Sequence, residues 1–142
     1  MTGRPEEAAT TRGGDEREPR SLSAPALRFE LSVESARLRA ERAYLEGDRN
    51  ARTLTKVDWF RLVLVALHVG ARLDEADQNG SIALQVLEGR VTVRVGDETS
   101  DVGEREIAVV APGYPWTAVA VEDSMVLLHL AWPPAPGSSV TA

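Results

Sequence analysis

Cysteine is absent from the 142 residues, and histidine occurs only at His68 and His129. The first absence excludes disulfides, thiolate nucleophiles and thiolate metal ligands. The second leaves too few imidazoles for the two- or three-histidine sites that usually hold zinc, copper or iron. Lysine is scarcer still: Lys56 is the only one, and arginine supplies the rest of the 16 basic residues. Acidic residues outnumber them, so the chain carries a net charge of −6 with an isoelectric point near 5.0. That balance lacks the basic footprint of a nucleic-acid binder, and no helix-turn-helix segment is apparent. No run of about 18 apolar residues exists, so no membrane-spanning helix is expected. The first twenty residues lack the apolar segment of a secretory signal, and a cytoplasmic location is the resulting expectation. No phosphate-cradling glycine loop and no nucleophile elbow around Ser21, Ser23 or Ser32 is found.

What is present suits one soluble domain: 43% hydrophobic residues, enough for a core, and 27% charged. Residues 1–20 are polar, of mixed charge and interrupted by glycine and proline, and are expected to be a disordered leader. Residues 21–50 are expected to form an N-terminal helical segment, residues 51–133 a β-barrel and residues 134–142 a flexible tail. The helix is expected over residues 32–46, with Ser32 as N-cap, Gly47 as stop, and Val33, Ala36, Ala40 and Ala43 or Tyr44 on the buried face. Residues 57–69 are almost continuously apolar and predict one strand covered on both faces. Ile82, Leu84 and Val86 alternate with polar or small residues, and so do Val91, Val93 and Val95, as half-buried strands do. Glu88-Gly89, Gly96-Asp97, Gly103, Pro112-Gly113 and Glu122-Asp123 punctuate short strands up to Trp132. Short strands at near-regular spacing argue for an all-β sandwich or barrel, not for βαβ units.

Three of those turns carry a resemblance. The stretch Gln85-Val86-Leu87-Glu88-Gly89-Arg90-Val91, then Val95-Gly96-Asp97, then Ala111-Pro112-Gly113-Tyr114-Pro115-Trp116, resembles the small single-domain cupins of the RmlC-like superfamily. Those proteins place a "VLEG" turn between two strands and a "PPG-x-P-H" corner about twenty residues later. The resemblance spans roughly residues 50–132. It implies a cupin-type double-stranded β-helix, or jelly-roll barrel, with an N-terminal α-helix. Cupins of this size often pair through strand edges, which implies a homodimer with a contribution from Trp59, Phe60 or Trp132.

In metal-binding cupins, two histidines and a glutamate of the first motif converge with a histidine of the second. In this chain Ala76 and Asp77 stand at the paired histidines, Ile82 at the glutamate and Trp116 at the second-motif histidine. Alanine, isoleucine and tryptophan offer no suitable donor to a divalent cation. No metal and no other cofactor is therefore expected, and the family's metal chemistry does not transfer.

Four residues are then candidates for a site. Trp116 either packs the core or forms a stacking wall of an apolar pocket. His129, between Leu128 and Leu130, is a lone general base near Trp116 if it points inward, and otherwise a locally bonded strand histidine. Gln85 either supplies a neutral hydrogen-bonding group inside the barrel or faces outward. Asp77 is a weak catalytic candidate within an acidic cluster with Asp74 and Glu75, a cluster that reads best as a solvated turn. His68 reads as a rim or locally satisfied histidine. The favoured expectation is a metal-independent barrel that binds a small, partly apolar ligand as a sensor or accessory module. The alternatives are a metal-free bacterial isomerase or cyclase, and a structural or interaction protein with a filled core.

Overall fold

The computed structural model describes residues 25–74 and 79–133. The expected leader, the tail beyond Pro133 and Asp77 lie outside the described residues. Among the described residues, two short helices, α1 (Leu31–Ala40) and α2 (Arg42–Glu46), precede nine strands. The strands are β1 (Arg49–Val57), β2 (Phe60–Leu67), β3 (Arg72–Asp74), β4 (Ser81–Glu88), β5 (Arg90–Val95), β6 (Glu98–Gly103), β7 (Ile107–Val110), β8 (Trp116–Ala120) and β9 (Ser124–Ala131). They form a five-stranded sheet in the order β1-β2-β9-β4-β7 and a four-stranded sheet in the order β3-β8-β5-β6. Every pairing is antiparallel. Facing sheets with these non-sequential neighbours make a jelly roll.

Side-chain alternation sorts the residues into two cores. Val65 and Leu67 of β2, Ile82, Leu84 and Val86 of β4, and Val126, Leu128 and Leu130 of β9 point into the barrel, where they meet Val91, Val93, Ala118 and Ala120 of the second sheet. The other face of the same sheet gives Leu64, Ala66, Met125 and Leu127, which pack with Leu54 beneath Leu38 and Tyr44 of the helices. Both faces of β2 and β9 are thus covered, and this is why their sequences are apolar apart from Arg61, Ser124 and His129.

Residues 57–69 do not form the single strand that their apolar run predicts. Val57 pairs with Phe60 across a two-residue turn at Asp58-Trp59, so the run holds the end of β1, a hairpin and all of β2. β1 itself, with its mixed sequence RNARTLTKV, and the three-residue β3 carry little strand signal of their own.

The helix departs from expectation in three respects. Ser32 is not the cap: Glu30 occupies the N-cap and makes no side-chain capping bond. The helix breaks at Glu41, whose backbone is extended (φ −85°, ψ 154°). Asn50 holds this break, its Nδ2 donating to Leu38 O at 2.9 Å and to Glu41 Oε1 at 2.8 Å. The buried face is also different. Val33, Ala36, Ala40 and Ala43 are exposed, while Glu34, Ser35 and Leu38 are buried, with Tyr44 buried as expected. The cause is a polar anchor: Glu34 lies 3.2 Å from Arg52 of β1, and both side chains are over 90% buried. A buried charge must keep its partner, so this pair dictates which face of α1 meets the sheet.

Gly89, at the turn into β5, has φ +89°, and a Cβ there would fall 2.3 Å from Ser124 Oγ. Ser124 is fully buried, accepts from Arg90 N at 3.0 Å and donates to Glu122 O at 2.8 Å. Only glycine fits, so this turn is pinned to the start of β9.

Replacing Leu38, 1% exposed, by alanine is expected to cost about 2–5 kcal/mol of stability by urea denaturation. Val33→Ala, at a position 40% exposed, is expected to stay within about 0.5 kcal/mol of the parent. The reverse order would restore the helix face read from the sequence.

Candidate functional site

The barrel closes on Trp116. It is 7% exposed, starts β8 and lies directly across from Val95 of β5. Ile82, Val110 and Leu130 belong to the same buried cluster. The indole fills the interior where the resemblance places a metal-ligating histidine. Ile82, 4% exposed and apolar, fills the glutamate position. These two side chains provide no donor atoms for a divalent cation, so the positions do not fit the metal that the cupin resemblance brings. Among the described residues, no three of His, Asp and Glu come together as a ligand set.

Gln85 and His129 are not in the interior. On β4, Leu84 and Val86 point inward, so Gln85 points outward; on β9, Leu128 and Leu130 point inward, so His129 points outward. The two meet on that outer face, His129 Nε2 lying 3.2 Å from Gln85 Oε1. His129 is therefore no base for chemistry beside Trp116, because the sheet separates them. Burial pushes its imidazole below the ordinary value near 6.5.

His68 is held locally. Its ring stacks on Tyr44 with centroids 3.8 Å apart, and its Nε2 lies 2.7 Å from Tyr44 O. Its Nδ1 is 3.9 Å from Asp123 Oδ1, which accepts from Val69 N at 2.8 Å. The ring thereby fastens α2 and the β8–β9 turn to the end of β2. Asp74 ends β3 on the surface, 3.8 Å from Arg72. Trp59 is 60% exposed in the β1–β2 turn, whereas Phe60 and Trp132 are half-buried.

The structure adds a cleft that residue types alone did not single out. β6 and β7 are the outer strands of the two sheets on one side of the barrel, and neither pairs with the other. Between them opens a cleft of about 810 Å³. Its floor includes Val93, Val95, Val102, Ala108 and Val110, all members of the barrel core or packed against it. Register turns Glu98 and Ser100 inward, since they lie opposite Val95 and Val93. Arg105, at φ +69°, and the half-exposed Tyr114 stand at its rim. The β5–β6 register follows from the two-residue turn at Gly96-Asp97, so the inward placement of Glu98 and Ser100 was legible in the alternation of Val91, Val93 and Val95.

No protein-family model matches the chain, and no curated protein is significantly similar to it in sequence. Solved structures do match in shape. A cupin superfamily protein from Desulfitobacterium hafniense superimposes with a TM-score of 0.58 at 15% identity, over 62% of this chain and 81% of that one. The chain has a cupin fold. A conserved protein of unknown function from Streptococcus pyogenes matches this chain with a TM-score of 0.59 at 24% identity, over 63% and 79% of the two chains. Salicylate 1,2-dioxygenase from Pseudoaminobacter salicylatoxidans matches with a TM-score of 0.64 at 16% identity, over 80% of this chain and 37% of the dioxygenase. At these identities the likeness concerns fold alone. Among the described residues no helix is long and apolar enough to cross a membrane.

Because its folded-state pKa is depressed, His129 takes up a proton more readily in the unfolded chain. Its contribution is unaffected above pH 6.5 and becomes destabilising as pH falls through that value. The His129→Gln variant is expected to lose less stability than the parent between pH 7.5 and pH 5.5 in urea titrations. An equal loss in both would show that the imidazole is not the group responsible.

Proposed function

We propose that this cupin binds a small, partly apolar ligand without a metal and acts as a sensor or accessory module. The observation that carries the reading is the cleft between β6 and β7: an apolar floor continuous with the barrel core, an inward carboxylate and hydroxyl at Glu98 and Ser100, and a volume of about 810 Å³. Ligand sites are commonly concave and apolar, with a few polar groups that orient the guest. Trp116 does not line this cleft: it packs in the core opposite Val95, so the expected stacking wall is not part of the proposed site. The catalytic alternative has less support, because His129 and Gln85 lie on the outer face, away from this cleft.

Titration of the labelled full chain with hexylamine, cyclohexanol and indole tests the proposal. Saturable shifts are expected in the backbone amides of β6 and β7. Ala108→Trp should fill the cleft and weaken binding about tenfold or more, while leaving the fold intact by circular dichroism. Absence of saturable shifts with all three compounds would refute the assignment of the cleft. One tightly held metal ion per chain, found by mass spectrometry after purification without chelator, would refute the metal-free reading.

A further inference from the structure

A second recess, of about 480 Å³, lies at the end of the β1–β2 hairpin and is lined by Lys56, Val57, Asp58, Arg61 and Trp132. Lys56 and Arg61 are direct cross-strand partners. Side chains in such pairs start about 5 Å apart on the same face, and like charges there repel. The face is the barrel's inner one, because Arg61 shares the phase of Val63 and Val65 and pairs with the core residue Leu130. In a chain with a net charge of −6, carboxylates are plentiful. Even so, neither cation forms an ion pair among the described residues. Asp58 lines the recess but is not within ion-pair distance of either.

Arg61 is further constrained. Its guanidinium carbon sits 5.3 Å from the centroid of the Trp132 ring, a cation–π contact that holds the side chain in place. Its Nε is buried and has no hydrogen-bond partner. A guanidinium held in place is a preorganised donor for an oxyanion, and the lysine on the facing strand adds a second positive charge to the same face. Lys56, the only lysine of the chain, and Arg61, the only cation in the apolar stretch from 57 to 69, are the signals that sequence reading passed over.

We infer that Lys56 and Arg61, with Trp132 behind them, form a binding site for a compact oxyanion, a carboxylate or a phosphate. The anion relieves the repulsion between the two cations on the facing strands. Asp58 opposes it and sets a limit on affinity. The site shares no residue with the β6–β7 cleft and stands whether or not that cleft binds a ligand.

The test is a titration of the labelled full chain with inorganic phosphate and, separately, with sodium benzoate, at constant ionic strength in a zwitterionic buffer. The readout is the indole N–H signal of Trp132, assigned by its disappearance in Trp132→Phe. A saturable shift with at least one anion is expected, and the tighter of the two identifies the head group. Lys56→Gln and Arg61→Gln should each weaken binding about tenfold, as loss of one charge-assisted bond does. Asp58→Asn should strengthen it. No saturable shift with either anion, full affinity in either glutamine variant, or unchanged or weaker binding in Asp58→Asn would each overturn the site.

Discussion

The alternation of β9 between two cores is the constraint on which the rest of the structure depends. This strand is paired on both sides, by β2 and by β4, and buried on both faces. Val126, Leu128 and Leu130 belong to the barrel, Met125 and Leu127 to the layer beneath the helices. A shift of one residue would exchange the two sets and turn His129 inward. Gly89 opposes that shift. Its turn accepts no Cβ because Ser124, the first residue of β9, packs against it and bonds across it. The "VLEG" turn is therefore more than a connection between β4 and β5, since it holds the phase of the strand that separates the inside from the outside.

The same two-sided burial explains which parts of the fold were legible in the sequence. β4 and β5 alternate apolar with polar or small residues, so their inner faces could be read directly, whereas the direction of Gln85 was left open. β9 reads SMVLLHLA, apolar on both faces, and such a run carries no phase. The direction of His129 was thus undetermined until β9 was paired with its neighbours. The run at 57–69 hid a hairpin for the same reason: Trp59 and Phe60 continue the apolar texture through a turn marked only by Asp58. The helix failed differently. Its apolar residues do not define a stripe, and its docking face is chosen by Glu34 and Asn50-bound Glu41, whose partners lie on β1. Polar anchors of this kind depend on tertiary partners that a periodicity count does not see.

Among the site residues, Trp116 packs in the core, one of the two positions its sequence left open, because it shares the buried face of β8 with Ala118 and Ala120. Gln85 and His129 do come together, but on the outer sheet face. The cleft followed from something the residue types could not show, namely that β6 and β7 end their sheets on the same side without pairing. Exposed edges usually carry a charge or a kink that discourages further strands. β6 has Glu98 and Asp101, whereas β7 reads IAVV, with Val109 73% exposed. An apolar edge beside an acidic one makes the seam both open and chemically uneven.

Trp116 and Ile82 stand, by the cupin resemblance, at positions that hold metal ligands in metal-bearing barrels, and here both are buried and apolar. The two side chains occupy the interior volume that ligand atoms and their waters need in a metal-bearing barrel, and their burial adds to the core that closes it. Polar groups able to orient a guest are then excluded from the centre, where they would be desolvated without partners. They are found instead where strands end or edges stay open: Glu98 and Ser100 at the β6 edge, Lys56 and Arg61 beside the β1–β2 hairpin. Glu98 and the two cations lie in separate recesses, and Asp58 is the carboxylate that lines the recess of Lys56 and Arg61. The barrel is thus solid at its centre and polar at its margins.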